Sequence, residues 1–160
     1  MKFRAKILPY TELAQWREKN QWAGRLVVTN GCFDLLHLGH VTYLETARNL
    51  GDALLVGINS DAAVRGLKGE GRPINSEEDR AAVIAALGSV DYVCVFPEVR
   101  ATDFLLRAQP DIYVKGGDYT VETLDQNERR AVESQGGTIH IISFVPGKST
   151  TSLLRKMAPP

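Results

Sequence analysis

Cysteine is scarce in this chain: only Cys32 and Cys94 occur, far apart and without metal-ligand spacing. That excludes a disulfide framework and a Cys-based zinc site. Long apolar runs are also missing; none approaches the ~20 residues needed to span a bilayer. The basic N-terminus, Met1 to Pro9, holds too short an apolar stretch for a signal-peptide core. Charge of one sign is not in excess, because 19 Lys and Arg balance 19 Asp and Glu. No global field is therefore available to hold nucleic acid or an anionic membrane, and no aromatic–basic stripe is present. Repeats, low-complexity tracts and linker-like stretches are absent too. What remains, 44% hydrophobic and 24% charged over 160 residues, has the composition of one globular domain. We expect a single domain over 1–160, with a leading helix at about 10–21 and a core at about 25–157, in a cytoplasmic protein.

The informative stretch is Gly31-Cys32-Phe33-Asp34-Leu35-Leu36-His37-Leu38-Gly39-His40. It follows the apolar run Leu26-Val27-Val28 and precedes Val41, Leu44, Ala47 and Leu50 at helical spacing. That order reads as strand–turn–helix, the opening of a βαβ unit. In such sheets ligands bind beyond the carboxyl ends of the strands. Free N–H groups and the dipole at a helix start favour an anion. His37 and His40 can add donors, and Gly39 leaves the backbone open to close approach. The assembly suits a polyphosphate. Cys32 has no evident base beside it and reads as a small packing thiol.

Strands and helices alternate along the rest of the chain, which predicts an α/β fold with a doubly wound, Rossmann-like parallel sheet. Tyr10 to about Gln21 reads as a helix capped by Thr11. A helix from about Leu38 to Leu50 stops at Gly51. Ala53–Ile58 is a buried strand, and Asn59-Ser60-Asp61 cap a short helix from Ala62 to about Arg65. Gly66 to Pro73, glycine-rich and basic, reads as a mobile loop. Asn75-Ser76-Glu77-Glu78 resembles a capping box before the run Ala81–Leu87. The third strand is Tyr92–Phe96, followed by a helix over Thr102–Ala108 and a strand over Ile112–Val114. A helix from Glu122 to Gln135 and a fifth strand, Thr138–Ile142, complete the sheet. Gly147 to Ser152 open a last helix.

Three further loops fall on the same edge as the central turn. Asn59 and Asp61 act as caps or as ligand contacts, and Lys68 and Arg72 as solvated cations or as a phosphate clasp. Lys115-Gly116-Gly117-Asp118-Tyr119 combines backbone access with a cation, an acceptor and a stacking face. Ser149, Thr150 and Thr151 supply more hydroxyls than one cap requires, which suits a second anion site.

His37–His40 with its strand and helix, Gly57-Ile58-Asn59-Ser60-Asp61, Arg72-Pro73, Arg80 and Ser149–Thr151 together resemble the nucleotidyltransferase superfamily that includes cytidylyltransferases and phosphopantetheine adenylyltransferase. Thr29 to Asp34, Val114 to Tyr119 and Gly147 to Ser152 are similar to the adenylyltransferases of ADP-heptose synthesis, over about Lys6 to Met157. The resemblance implies transfer of AMP from ATP to D-glycero-β-D-manno-heptose 1-phosphate, with release of pyrophosphate, for the lipopolysaccharide inner core. No sugar-kinase segment is present, so a stand-alone form is expected, and the resemblance to related enzymes implies a homodimer. His37, His40 and Lys68 are then the catalytic candidates. Gly31, Cys32, Phe33, Gly39, His40, Lys115, Gly117, Asp118, Ser149, Thr150 and Thr151 are candidates for the nucleotide. Asp34, Asn59, Asp61, Arg72 and Arg80 are candidates for the acceptor. Mg²⁺ is expected on the ATP phosphates, because no carboxylate cluster resembles a dedicated cage. Cytidylyl transfer to glycerol 3-phosphate or another phosphorylated alcohol, and a catalytically silent nucleotide-binding module, are the alternatives.

Overall fold

The structure, a computed structural model, describes residues 2–20, 24–117 and 120–143. Among the described residues six parallel strands form one sheet: β1 (Ile7–Leu8), β2 (Leu26–Gly31), β3 (Ala53–Asn59), β4 (Tyr92–Phe96), β5 (Ile112–Gly116) and β6 (Thr138–Ile142). Their spatial order is β1-β4-β3-β2-β5-β6. The helices are α1 (Leu13–Lys19), α2 (Leu38–Arg48), α3 (Asp61–Lys68), α4 (Glu77–Ala85), α5 (Thr102–Ala108) and α6 (Gln126–Glu133).

Alternation along the strands builds two cores. Val27, Leu54, Val56, Ile58, Val93 and Val114 meet Leu44 and Ala47 of α2 and Ala81 and Ile84 of α4. On the opposite face Leu26, Val28, Leu55 and Phe96 meet Leu13 of α1, Phe104 and Leu105 of α5, and Val132 of α6. β3, buried at every residue, is the continuous apolar run expected of a central parallel strand. Gly57 is required there, since a Cβ would lie 2.6 Å from the Phe104 ring, which stacks on Phe96 at 4.9 Å. From β2 the chain winds outward through β3 to β4, then crosses to β5 on β2's other side. The reversal leaves a crevice at the carboxyl ends of β2 and β5.

Several boundaries differ from expectation. The sheet gains a sixth strand, β1, whose two residues are too few to carry a period. The leading helix begins as a 3₁₀ turn, Tyr10–Glu12, and Thr11 does not cap it; Glu12 is the residue before α1, without a side-chain cap. α2 ends at Arg48 rather than Leu50. Gly66 and Lys68 belong to α3, whose cap is Ser60, so the glycine-rich loop begins only at Gly69. Ser76 caps α4 through the Asp79 N–H. α6 begins at Gln126, because Asp125 accepts from the N–H groups of Asn127 and Glu128 and stops the helix extending back to Glu122.

Candidate active site

The central turn is held by its own side chains. Phe33 takes φ 48°, a left-handed conformation uncommon for an aromatic residue, and its ring is buried. Gly31 makes room for it: a Cβ there would sit 3.0 Å from the Phe33 ring edge. His37 is the residue preceding α2, in extended conformation, and its peptide N–H donates to Nδ1 of His40 at 3.3 Å. The two imidazoles lie 4.0 Å apart, tilted by 30°. An Nδ1 that accepts carries no proton, so His40 holds its proton on Nε2. Burial, and then the nearby His37, push its pKa down to about 4. At neutral pH His40 is therefore an uncharged donor through Nε2. The N–H groups of Leu38 and Gly39, in the first turn of α2, have no intrahelical acceptor and complete an anion-seeking surface.

Asp34 was expected to meet the acceptor; the structure commits it elsewhere. Its carboxylate is 1% exposed and accepts from Nε of Arg72 at 2.7 Å, and from the N–H groups of Ile74 and Asn75 at 2.9 and 3.0 Å. Burial alone would raise its pKa, but the Asn75 and Ile74 amides and the Arg72 guanidinium outweigh it and hold the carboxyl below its usual range. Asp34 thus pins the segment after α3 to the central turn.

Arg80 is likewise a brace. Its side chain is fully buried and donates to the Cys32 carbonyl at 2.7 Å, the Asn75 carbonyl at 3.1 Å and Oδ1 of Asp61 at 2.8 Å. Asp61 is thereby occupied as its counter-ion. Asn59 donates through Nδ2 to the carbonyls of Glu98 and Val99. The positive charges of Lys68, Arg80 and Arg72 favour the Cys32 thiolate. Burial nonetheless raises the Cys32 thiol's pKa, consistent with a packing role. Between the turn and α4 lies a pocket of about 220 Å³, lined by Phe33 to Leu36, Asn75, Asp79, Arg80 and Val83.

Lys115 also differs from expectation. Nζ donates to Oδ1 of Asn30 at 3.2 Å, Oη of Tyr113 at 2.9 Å and Oε2 of Glu128 at 3.0 Å, which uses all three protons. Gly117 follows at φ 124°, its N–H on the Ile142 carbonyl. Asn30, Tyr113 and Glu128 were not singled out from the sequence. Nor was Tyr43, whose hydroxyl bonds Thr29 at 2.6 Å and the Val114 carbonyl at 3.1 Å, tying α2 to β2 and β5. Asp118, Ser149, Thr150 and Thr151 lie outside the described residues. Among the described residues no group of three or more His, Cys, Asp or Glu could hold a metal ion, and no helix is long and apolar enough to cross a membrane.

A turn of this geometry at a topological switch point fits the comparisons with known proteins. The model of the cytidylyltransferase-like family matches residues 28–155. The chain belongs to that family. Two curated relatives are named "Bifunctional protein HldE". That of Pelobacter propionicus is 52% identical over 133 residues, covering 83% of this chain and 27% of the relative. That of Syntrophotalea carbinolica is 47% identical over 158 residues, covering 98% and 32%. The chain thus spans between about a quarter and a third of the length of these relatives. Among solved structures, the lipopolysaccharide core biosynthesis protein from Thermoplasma volcanium matches with TM-score 0.63 and 31% identity, over 77% of this chain and 98% of that one. A pantoate-beta-alanine ligase from Francisella tularensis, complexed with beta-gamma ATP and beta-alanine, shares the fold at TM-score 0.55 and 13% identity, over 86% and 66%. The nucleotidyltransferase resemblance and the doubly wound parallel fold read from the sequence are both borne out.

Chemically, the described part of the site offers donors and cations: Nε2–H of His40, the α2 amides, and the field of Lys68 and Arg72. It contains no paired nucleophile and base. Such a set aligns and neutralises phosphates rather than abstracting protons.

Proposed function

We propose that this chain is an adenylyltransferase acting on ATP and D-glycero-β-D-manno-heptose 1-phosphate, as a cytoplasmic homodimer serving the lipopolysaccharide inner core. A phosphate oxygen of the sugar 1-phosphate attacks the α-phosphorus of ATP, a new P–O bond forms, and the bond to the β-phosphate breaks. Pyrophosphate leaves with the electron pair, and ADP-heptose remains. The nucleophile is already anionic, so no strong general base is required, and the barrier yields to alignment and charge stabilisation. The observation that carries the reading is His40, a neutral Nε2–H donor at the start of α2, beside the N–H groups of the first helical turn.

His40 serves the α- and β-phosphates, His37 stands beside it, and Lys68 closes on the reacting phosphates, while Arg72, paired with Asp34, holds the segment after α3 against the turn. Ser149 and Thr150 are assigned to the β- and γ-phosphates by resemblance alone. Magnesium enters as part of the substrate, MgATP. The heptose acceptor is supported by identity of about half to proteins named HldE and by likeness to a lipopolysaccharide core biosynthesis protein.

Pyrophosphate release with Mg²⁺, crossing ATP and CTP with heptose 1-phosphate and glycerol 3-phosphate, tests the proposal. Release confined to ATP with the heptose supports it. Release with CTP and glycerol 3-phosphate keeps the chemistry and overturns the substrates. ATP binding without pyrophosphate from any pair would argue for a silent nucleotide-binding module.

A further inference from the structure

At the carboxyl end of β2, one residue before the central turn, Asn30 sits on a buried charged network that the proposed chemistry does not use. Lys115 of β5 and Glu128 of α6 form an ion pair at 3.0 Å, with side chains 18% and 5% exposed. Tyr113 joins them: its hydroxyl lies 2.7 Å from Oδ1 of Asn30 and 3.0 Å from Oε2 of Glu128. Oε1 of Glu128 accepts the Ala101 N–H at 3.1 Å, which ties the network to the start of α5. Burying such a pair is costly unless every donor and acceptor is satisfied, and here each one is.

What the network achieves is the orientation of one amide. An ammonium can only donate, so the Asn30 atom 3.2 Å from Nζ of Lys115 must be the oxygen. The carboxamide cannot flip without setting its NH₂ against the ammonium. Its Nδ2 branch is thereby turned away from the buried side, and no residue among those described accepts from it. Asn30 is half-buried at the crevice where β2 and β5 diverge. An oxygen that accepts from an ammonium polarises its amide, which strengthens the opposite N–H as a donor.

We propose that Asn30 contacts the nucleotide, its Nδ2–H₂ donating to a phosphate oxygen, and that Lys115 and Glu128 are positioning residues for that amide. The inference rests on the nucleotide reading above. A phosphate is the ligand chemistry that fits, because Gly31 to His40 follow Asn30 directly and end in the N–H groups and the Nε2 donor of the α2 start. Lys115, its charge already paired with Glu128, acts through Asn30 rather than on the ligand.

Asn30→Asp is the discriminating variant. It is isosteric and keeps an oxygen facing Lys115 and Tyr113, while the outward NH₂ becomes a carboxylate oxygen. Isothermal titration of the full chain with MgATP, and with adenosine as the phosphate-free probe, reads the effect. MgATP affinity should fall at least about tenfold, with adenosine unchanged. Unchanged MgATP affinity overturns the proposal, and equal weakening of both ligands overturns the phosphate contact. Failure of the unaltered protein to bind MgATP would instead remove the nucleotide reading itself. The unaltered protein also supplies a readout that needs no variant. The Asn30 side-chain NH₂ resonances should move on addition of MgATP and not of adenosine; if MgATP leaves them in place, the assignment is wrong.

Discussion

Arg80→Met should strongly destabilise the protein. The guanidinium makes three hydrogen bonds: two to the carbonyls of Cys32 and Asn75, one to the Asp61 carboxylate. Its side chain is fully buried, whereas that of Asp61 is 29% exposed and can be partly rehydrated. Methionine restores much of the volume but no donor. Removing one partner of a buried ion pair typically costs 3–5 kcal/mol, and the two stranded carbonyls keep the figure in that range, so we expect about 3–5 kcal/mol. At roughly 2–4 °C per kcal/mol for a domain of this size, the melting temperature should fall by about 6–20 °C. Urea unfolding followed by tryptophan fluorescence measures it: the midpoint falls while the slope stays constant. Arg80→Lys should recover little, since an ammonium cannot reach three acceptors in the fork geometry. A loss below about 1 kcal/mol, in the range of ordinary surface substitutions, would show that Arg80 does not brace the turn.

His40→Ala should behave in the opposite way, lowering kcat on the order of a hundredfold while the urea midpoint barely moves; retention of more than about a tenth of the activity would remove His40 from catalysis. In the ligand-free protein the His40 imidazole should titrate near pH 4 by NMR. Its folded pKa is depressed, so its contribution to stability is intact above the ordinary histidine value and is lost as pH falls toward 4. Bound phosphates should raise the midpoint, and a free-protein midpoint near 6.5 would refute the buried, neutral donor. Asp34 also has a depressed folded pKa, so its contribution is present above the usual carboxylate pKa and is lost as pH falls through the lower, folded one. Asp34→Asn should lower stability at pH 7 and flatten the acid limb of the stability–pH curve. An unaltered acid limb would show that another carboxylate dominates it.

Much of the architecture was legible because it is written locally. A continuous apolar run marks β3, an apolar run stopped by Pro97 marks β4, Pro110 bounds α5, and strand–glycine–helix order places the His37–His40 turn at a sheet edge. Helix starts were less legible wherever two caps competed. Asp125, with a carboxylate reaching two peptide N–H groups, overrode a helical pattern that runs back to Glu122. Lys68 was found as a cation but misplaced on a loop, because glycines at 66 and 69 hid the continuation of α3.

The residue-level roles divide along the same line. The chain by itself determined which chemistry is on offer: two histidines at a helix start, cations downstream, no base paired with a nucleophile. Those features lie within one turn of backbone or follow from composition. Only the tertiary structure decided which polar groups remain for a ligand. Asp34 reaches Arg72 across 38 residues, Arg80 reaches the Cys32 carbonyl across 48, and Tyr113 reaches Asn30 across 83. Each of these partnerships is created when parallel strands and their crossover helices bring distant segments together. A carboxylate that has found three donors in the interior is a brace, and the same carboxylate facing water would be a ligand contact. No local pattern distinguishes the two.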